Sequence, residues 1–297
     1  SSARAVNTFL GVTPNDVWLR VLPVFHVGGF QVEARAWAAG ATCLRRDDRW
    51  DPRATAELCA VKKVTHLSLV PTQVYDLVQA GLTPPPSLRV VLVGGGELRP
   101  ALHARARALG WPVRTSYGLT EAASTVAVQA EVEDDPTRLT VLPHWQVSAD
   151  AEGILQLVGP ALPAAVATWS PDLGRHAWQS VVPPLRTADR VHLDGRTLVF
   201  LGRGDRVVKR LGELVDLAQT ERALADAALA CQAYGNVRLR CEADPRAGHR
   251  LVLECLDATV GSAVAACFNV TQPAFARIED VRVVDDLRLS PLGKPVG

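Results

Sequence analysis

Methionine is absent from the 297 residues, so the chain as it stands has no initiator, and either its start was removed or it is a piece of something longer. Lysine is almost absent too. Only Lys62, Lys63, Lys209 and Lys294 occur, and the rest of the 32 basic residues are arginine. A chain that uses Arg nearly everywhere has reason to keep a Lys where chemistry needs a compact, mobile point charge rather than a planar fork. The cysteines at positions 43, 59, 231, 241, 255 and 267 make no Cys-x-x-Cys pair and have no His at zinc-finger spacing, which excludes a zinc finger. They are expected to be reduced, buried small hydrophobes. No apolar run reaches the roughly 18 residues of a membrane span. Residues Ser1 to Thr8 lack the apolar core of a signal peptide, so cytoplasm is the expected compartment. A net charge of +1 argues against a nucleic-acid or membrane partner.

What is present is a globular composition, 48% hydrophobic, long enough for two domains. From Asp16 to Tyr117 strand and helix alternate. Strands are expected at Val17 to Phe25, Thr42 to Leu44, Thr65 to Val70 and Leu88 to Val93. Helices are expected at Gly29 to Ala39, Asp51 to about Val61, Thr72 to Gln79 and Leu98 to Leu109, with Leu98, Ala101, Leu102 and Leu109 on one face. Asp51 is a good N-cap because Pro52 follows at the first helical position. Such alternation predicts an α/β fold, a parallel sheet flanked by helices whose ligands bind beyond the carboxyl ends of the strands. From residue 125 the rhythm changes to short strands, with a hairpin across Asp194-Gly195, predicting a small antiparallel β subdomain to residue 202. Residues 203–297 predict a smaller C-terminal α+β domain. Its helices are expected near Ala218 to Cys231 and Thr259 to Phe268, and its strands at Asn236 to Glu242, Arg250 to Leu256 and Asp280 to Val284.

Thr115 to Ser124 concentrates an aromatic, a glycine, a hydroxyl and a carboxylate at Tyr117, Gly118, Thr120 and Glu121. Tyr117 offers a flat face to a base, Gly118 a turn no bulkier residue makes, Thr120 a donor for phosphate and Glu121 a ligand for Mg²⁺. The bland alternative is a strand-to-helix connection with Thr120 as N-cap. Gly94, Gly95, Gly96 and Glu97 end an apolar strand, and the three glycines let backbone approach a flat ligand. His26 follows Phe25 before Val27-Gly28-Gly29; the alternative is a His capping the next helix.

Tyr-Gly-Leu-Thr-Glu at 117–121 resembles the signature of the adenylate-forming superfamily, which comprises acyl-CoA synthetases, luciferases and adenylation domains. Further segments fit its order. The resemblance implies that Gly94 to Glu97 and Ser116 to Thr120 hold the nucleotide, with Tyr117 stacking on adenine, Glu121 on Mg²⁺ and His26 at the carboxylate end of the acyl pocket. Asp189 in Arg186-Thr187-Ala188-Asp189 stands where the family's Asp accepts the ribose hydroxyls. Ala188 replaces a Gly there, which costs about 1 kcal/mol if that position needs positive φ. Phe200 to Glu213 resembles the interdomain hinge. Arg203 is expected to reach the nucleotide, Asp205 to absorb the rotation, and Lys209 and Gly212 to border the thiol channel. Leu289 to Pro295 looks like the terminal segment whose Lys, here Lys294, steadies the carboxylate and the leaving pyrophosphate. The Ser/Thr/Gly-rich phosphate loop ending in Lys that members carry before the Phe-His segment has no counterpart ahead of Phe25.

The resemblance implies ATP, Mg²⁺ and CoA acting on a small-molecule carboxylic acid, and it leaves a homodimer open. Thr65 to Gln73 and the glycine turn look most like the o-succinylbenzoate–CoA ligases of menaquinone biosynthesis. A second carboxylate in such an acid wants a cation, for which Arg35 or Arg20 is available. An adenylation domain loading a carrier protein and a non-catalytic AMP-binding module are the competing alternatives.

Overall fold

The computed structural model describes residues 1–131, 135–170, 175–204, 206–211 and 213–287. Two compact units result: Ser1–Pro71 with Leu77–Leu201, and Thr72–Asp76 with Gly202–Gly297. The larger unit is organised by a sheet in which β2 (Thr42–Arg45), β1 (Val17–Arg20), β3 (His66–Leu69), β4 (Val90–Val93) and β5 (Val113–Leu119) run parallel in that order. All four residues of β3 and of β4 are buried, as strands covered on both faces require. Helices flank them: α2 (Val27–Ala39) packs on β1 and β3, and α5 (Pro100–Ala108) on β5.

Asp51 caps α3 (Pro52–Val61) as expected, its carboxylate accepting from Ala54 N at 3.0 Å. The predicted face of α5 holds only in part, for Leu98 and Leu102 are buried and Leu109 is half-buried. Pro100 opens that helix, which leaves Leu98 outside it; Ala101 is exposed, and Leu102, His103 and Ala106 point inward. The first strand stops at Arg20, short of Phe25. Helix α1 (Ser2–Leu10), ended by Gly11 at φ 65°, was not anticipated.

The antiparallel strands do not form a separate sheet. β6 (Ser124–Val128) pairs antiparallel with β5, and β7 (Arg138–Val141), β13 (Thr197–Arg203), β12 (Leu185–Asp194), β9 (Ile154–Val158) and β8 (Gln146–Ala149) continue the same 11-stranded sheet. The Asp194-Gly195 hairpin joins β12 to β13 as expected, with Gly195 at φ 58°. Their core gathers Tyr117, Val126, Trp145, Leu155, Val191 and Leu198. A two-stranded ribbon, β10 (Ala165–Ser170) with β11 (Arg175–Ser180), stands outside the sheet.

The smaller unit pairs β14 (Val207–Arg210) with β15 (Glu213–Asp216). It packs α6 (Leu217–Ala230) and α7 (Ala258–Thr271) with the sheet of β16 (Val237–Asp244), β17 (Gly248–Cys255) and β18 (Asp280–Val283) around Leu224, Leu251, Leu253, Val264 and Phe268. All six cysteines are free, but only Cys59 and Cys255 are buried, and Cys267 is exposed. No described helix is long and apolar enough to cross a membrane.

One buried histidine makes stability depend on pH. His66 is fully enclosed, stacked on Trp18 at 4.7 Å, with Nδ1 2.8 Å from Thr65 Oγ1 and 3.9 Å from Asp16. Burial pushes its imidazole down to about 4, against the pull of Asp16. The unfolded chain takes up that proton first, near the ordinary value of about 6.5. Its stabilising share is therefore complete above about pH 6.5 and is lost as pH falls toward 4, by about 2 kcal/mol at pH 5. Burial lowers His103 and His144 as well, which adds to the slope. Urea midpoints at pH 7.5 and pH 5 should show the drop, and equal midpoints would refute it.

Candidate functional site

Three of the predicted segments follow the carboxyl ends of parallel strands: His26 after β1, Gly94 to Glu97 after β4, and Ser116 to Glu121 at the end of β5. This is the edge at which open α/β sheets bind ligands. The Ser116 hydroxyl donates to Val93 O at 3.0 Å, tying the β5 segment to the glycine turn. A Cβ on Gly94 would stand 2.8 Å from that hydroxyl oxygen, and Gly95 has φ 75°, so both positions are built for glycine. Glu97 is ion-paired to Arg99 at 2.6 Å.

The decisive contact crosses 72 residues of sequence. The Tyr117 hydroxyl donates to Asp189 Oδ2 at 2.6 Å, and both residues are buried. The Tyr117 ring also stacks on Phe200, centroids 5.7 Å apart, a partner that sequence reasoning did not single out. Asp189 lies in β12 where the register with β9 shifts between Arg186 and Arg190, and its N–H donates to Thr187 Oγ1 at 3.1 Å. Ala188 is not among the residues with positive φ, so alanine carries no left-handed strain there.

Thr120 opens a single 3-10 turn, Thr120–Ala122, and is exposed together with Glu121. Leu119 holds the cap position and no side chain caps the turn, so Thr120 is not the N-cap that the alternative required. His26 does occupy the cap position of α2, but its ring makes no capping bond, and Nε2 is buried with no hydrogen-bond partner among the described residues.

The two candidate arginines differ sharply. Arg20 is saturated by Glu33, Asp47 and the Leu22 carbonyl. Arg35, 2% exposed, donates to Thr125 Oγ1 at 2.9 Å and lies 5.8 Å over the Trp18 ring. Burial alone lowers its guanidinium to about 10, and no carboxylate accompanies it among the described residues. Gln31 shares its helix face one turn earlier. Gln31 Oε1, Arg35 Nε and, on β3, Ser68 Oγ are buried without hydrogen-bond partners among the described residues. Gln31 and Ser68 were missed, although the i, i+4 spacing of Gln31 and Arg35 was a visible signal.

In the smaller unit, Arg203 ends β13 and Lys209 lies in β14, both exposed. Asp205, Gly212 and Lys294 lie outside the described residues. Among the described residues no group of three or more His, Cys, Asp or Glu could hold a metal ion. Mg²⁺ in nucleotide sites needs only one or two carboxylates beside the phosphates, which exposed Glu121 can satisfy. The side-chain-free turn at Gly94 to Gly96 likewise fits a flat base.

The sequence pattern of the AMP-binding enzyme family matches residues 1–149, half of the chain. The chain belongs to that family. A 2-succinylbenzoate–CoA ligase of Staphylococcus epidermidis is 39% identical over 124 residues, which cover 42% of this chain and 26% of the relative. Its Staphylococcus aureus counterpart is 34% identical over 124 residues, covering 42% and 25%. A single-substitution variant of E. coli MenE with bound OSB-AMS, 26% identical, superposes with a TM-score of 0.72 over 95% of this chain and 59% of that one. O-succinylbenzoate coenzyme A synthetase from Bacillus subtilis in complex with AMP shares the fold at 20% identity, with a TM-score of 0.77 over 99% and 62%. The chain thus matches about a quarter of the length of these curated relatives and about three-fifths of these solved structures.

Proposed function

We propose that the chain is an AMP-forming acid–CoA ligase, or the larger part of one, that joins 2-succinylbenzoate to CoA through an acyl adenylate. The observation that carries this reading is the Tyr117–Asp189 hydrogen bond. It brings two predicted nucleotide contacts together at the sheet edge where Ser116 anchors the glycine turn.

In this reading a carboxylate oxygen attacks the α-phosphorus of ATP, the bond to pyrophosphate breaks, and the CoA thiol then attacks the acyl carbon as AMP leaves. Asp189 accepts from the ribose hydroxyls, while Gly94 to Gly96 and the Tyr117 ring border the base. Thr120 donates to phosphate, and Glu121 would hold Mg²⁺, whose charge would offset that of the phosphates. His26, with its orphaned Nε2, stands at the acid's reacting end. Arg203 and Lys294 supply positive charge from the smaller unit, where Asp205 is the hinge and Lys209 and Gly212 line the thiol path.

Of the two arginines, Arg35 is the one suited to the acid's second carboxylate. A buried guanidinium with no carboxylate partner among the described residues, its Nε without a hydrogen-bond partner there, is costly unless a ligand completes it. AMP release assayed with ATP, CoA and 2-succinylbenzoate should require all three. An Arg35→Met variant, of similar bulk, should raise KM for the acid about 10- to 100-fold, the worth of a charge-assisted hydrogen bond, while melting close to wild type. No acid-dependent AMP release would overturn the proposal. Pyrophosphate exchange without CoA-dependent AMP release would indicate loading of a carrier protein instead.

A further inference from the structure

Arg35 is held from three sides. The helix turn that carries it is fixed by Asn7, whose Nδ2 donates to Arg35 O at 2.8 Å. Its own Nη2 donates to the buried Thr125 Oγ1 at 2.9 Å. The central carbon of the guanidinium, Cζ, lies over the Trp18 ring, 5.8 Å from its centroid. A single hydrogen bond leaves the group free to turn about it, and a ring face beneath the cation limits that turn. Trp18 comes from β1, packs with Val32 and Ala36 of α2, and is fully buried. Its Nε1 has no hydrogen-bond partner among the described residues, although a buried indole N–H usually finds one. Packing alone does not ask for such a ring, because phenylalanine would line an apolar layer without stranding a donor. What tryptophan adds is the best aromatic face for a cation. The neighbouring ring, His66 at 4.7 Å, is held down to about 4 by burial, so at about pH 7 it brings no second positive charge to the stack.

We propose that Trp18 is a positioning residue for Arg35, its ring holding the guanidinium in place so that the second carboxylate of a dicarboxylic acid meets a preset cation. The inference rests on the ligase reading above and adds to it the residue on which discrimination between dicarboxylic and monocarboxylic acids depends. A protein carboxylate in the place of the ring would hold Arg35 more firmly, but it would occupy the donors that the acid needs. A ring face offsets part of the cost of burying the charge without consuming an N–H, so Nε stays available to a ligand. Guanidinium and carboxylate pair through two parallel N–H···O bonds, a geometry that a cation already fixed in orientation reaches at smaller entropic cost. Trp18 acts through Arg35 and not on the reacting atoms. Its loss should therefore appear in the binding of the acid and not in the chemical step.

The test uses the intact chain and two acids: 2-succinylbenzoate, and the analogue in which the carboxyl that is not activated is replaced by hydrogen. Trp18→Leu removes the ring face, and Trp18→Phe keeps a weaker one. For 2-succinylbenzoate, KM in AMP release and Kd by calorimetry should rise about 5- to 30-fold with leucine at unchanged kcat, the change expected of a desolvated cation–π contact. Phenylalanine should give a smaller rise. With the monocarboxylic analogue, the same folded variants should match wild type. In the Arg35→Met background, Trp18→Phe should add nothing, because the two residues act as one unit. Equal losses on both acids, or a fall in kcat alone, would make Trp18 core packing and overturn the proposal, as would wild-type affinity in both variants. Should Trp18→Leu fail to fold, the ratio of the two acids in Trp18→Phe decides. Wild type that binds 2-succinylbenzoate but releases no AMP would sink the ligase reading alone, since the calorimetric comparison still decides the role of Trp18. Wild type that does not bind the acid would sink both.

Discussion

Gly118→Ala is expected to lower the stability of the larger unit by about 3 kcal/mol or more, the upper range for forcing atoms into a packed site. The cause is backbone, not side chain. A Cβ on Gly118 would stand 1.7 Å from Ser124 O and 2.5 Å from its carbonyl carbon, and neither can rotate away. The chain returns so closely because Ala123 and Ser124 both take positive φ, 48° and 90°, directly after the 3-10 turn. Register between β5 and β6 shifts between Tyr117 and Gly118 at the same place. Any relief would therefore move Tyr117 or the Thr120–Ala122 turn, and with them the site. The control is Gly11→Ala. Gly11 also has positive φ, 65°, but nothing lies within 4 Å of its added Cβ, so only about 1 kcal/mol of left-handed strain applies. Thermal melting should separate the two variants by several degrees. Equal midpoints would mean that the β5–β6 return is looser than its geometry implies.

That close return also marks where sequence reading stopped. Gly118 could be named as a turn glycine from Tyr-Gly-Leu-Thr-Glu, but the need for glycine comes from Ser124, whose approach depends on pairing across the sheet. Local signals served well where structure is local. Asp51-Pro52 gave the start of α3, Asp194-Gly195 gave a hairpin, and the run Ile154 to Val158 gave β9 without error. Helix α1 had such a signal too, in Val6, Phe9 and Leu10 on one face before Gly11, and it was overlooked. The β10–β11 ribbon had little to read, because its described β11 residues are all exposed and no alternation survives. Continuity of the parallel and antiparallel strands in one sheet was illegible for another reason, since β5 pairs with β4 on one edge and β6 on the other. The site follows the same division. Individual residues at strand ends were nameable from the motif, whereas the Tyr117–Asp189 bond, the Phe200 stack and the isolation of Arg35 belong to tertiary packing.

Asp189→Ala is expected to weaken AMP binding at least about 100-fold, since hydrogen bonds to a charged acceptor contribute about 1.5–3 kcal/mol each and the ribose offers two hydroxyls. The substitution acts twice. It removes the acceptor proposed for the ribose, and it takes away the carboxylate oxygen to which the buried Tyr117 hydroxyl donates. Two further variants separate these effects. Asp189→Asn keeps a carbonyl oxygen for Tyr117 but loses the charge, so affinity should fall while melting stays near wild type. Tyr117→Phe keeps the ring against Phe200 and removes only the tether that orients Asp189, so a loss of about 10-fold is expected, the worth of one ordinary hydrogen bond. Calorimetric titration with AMP, paired with thermal melting of each variant, reads binding apart from folding. If folded Asp189→Ala binds AMP as wild type does, Asp189 is a strut for Tyr117 and not a ligand for the sugar. If AMP binds to none of the four proteins, this sheet edge is not a nucleotide site in the chain by itself.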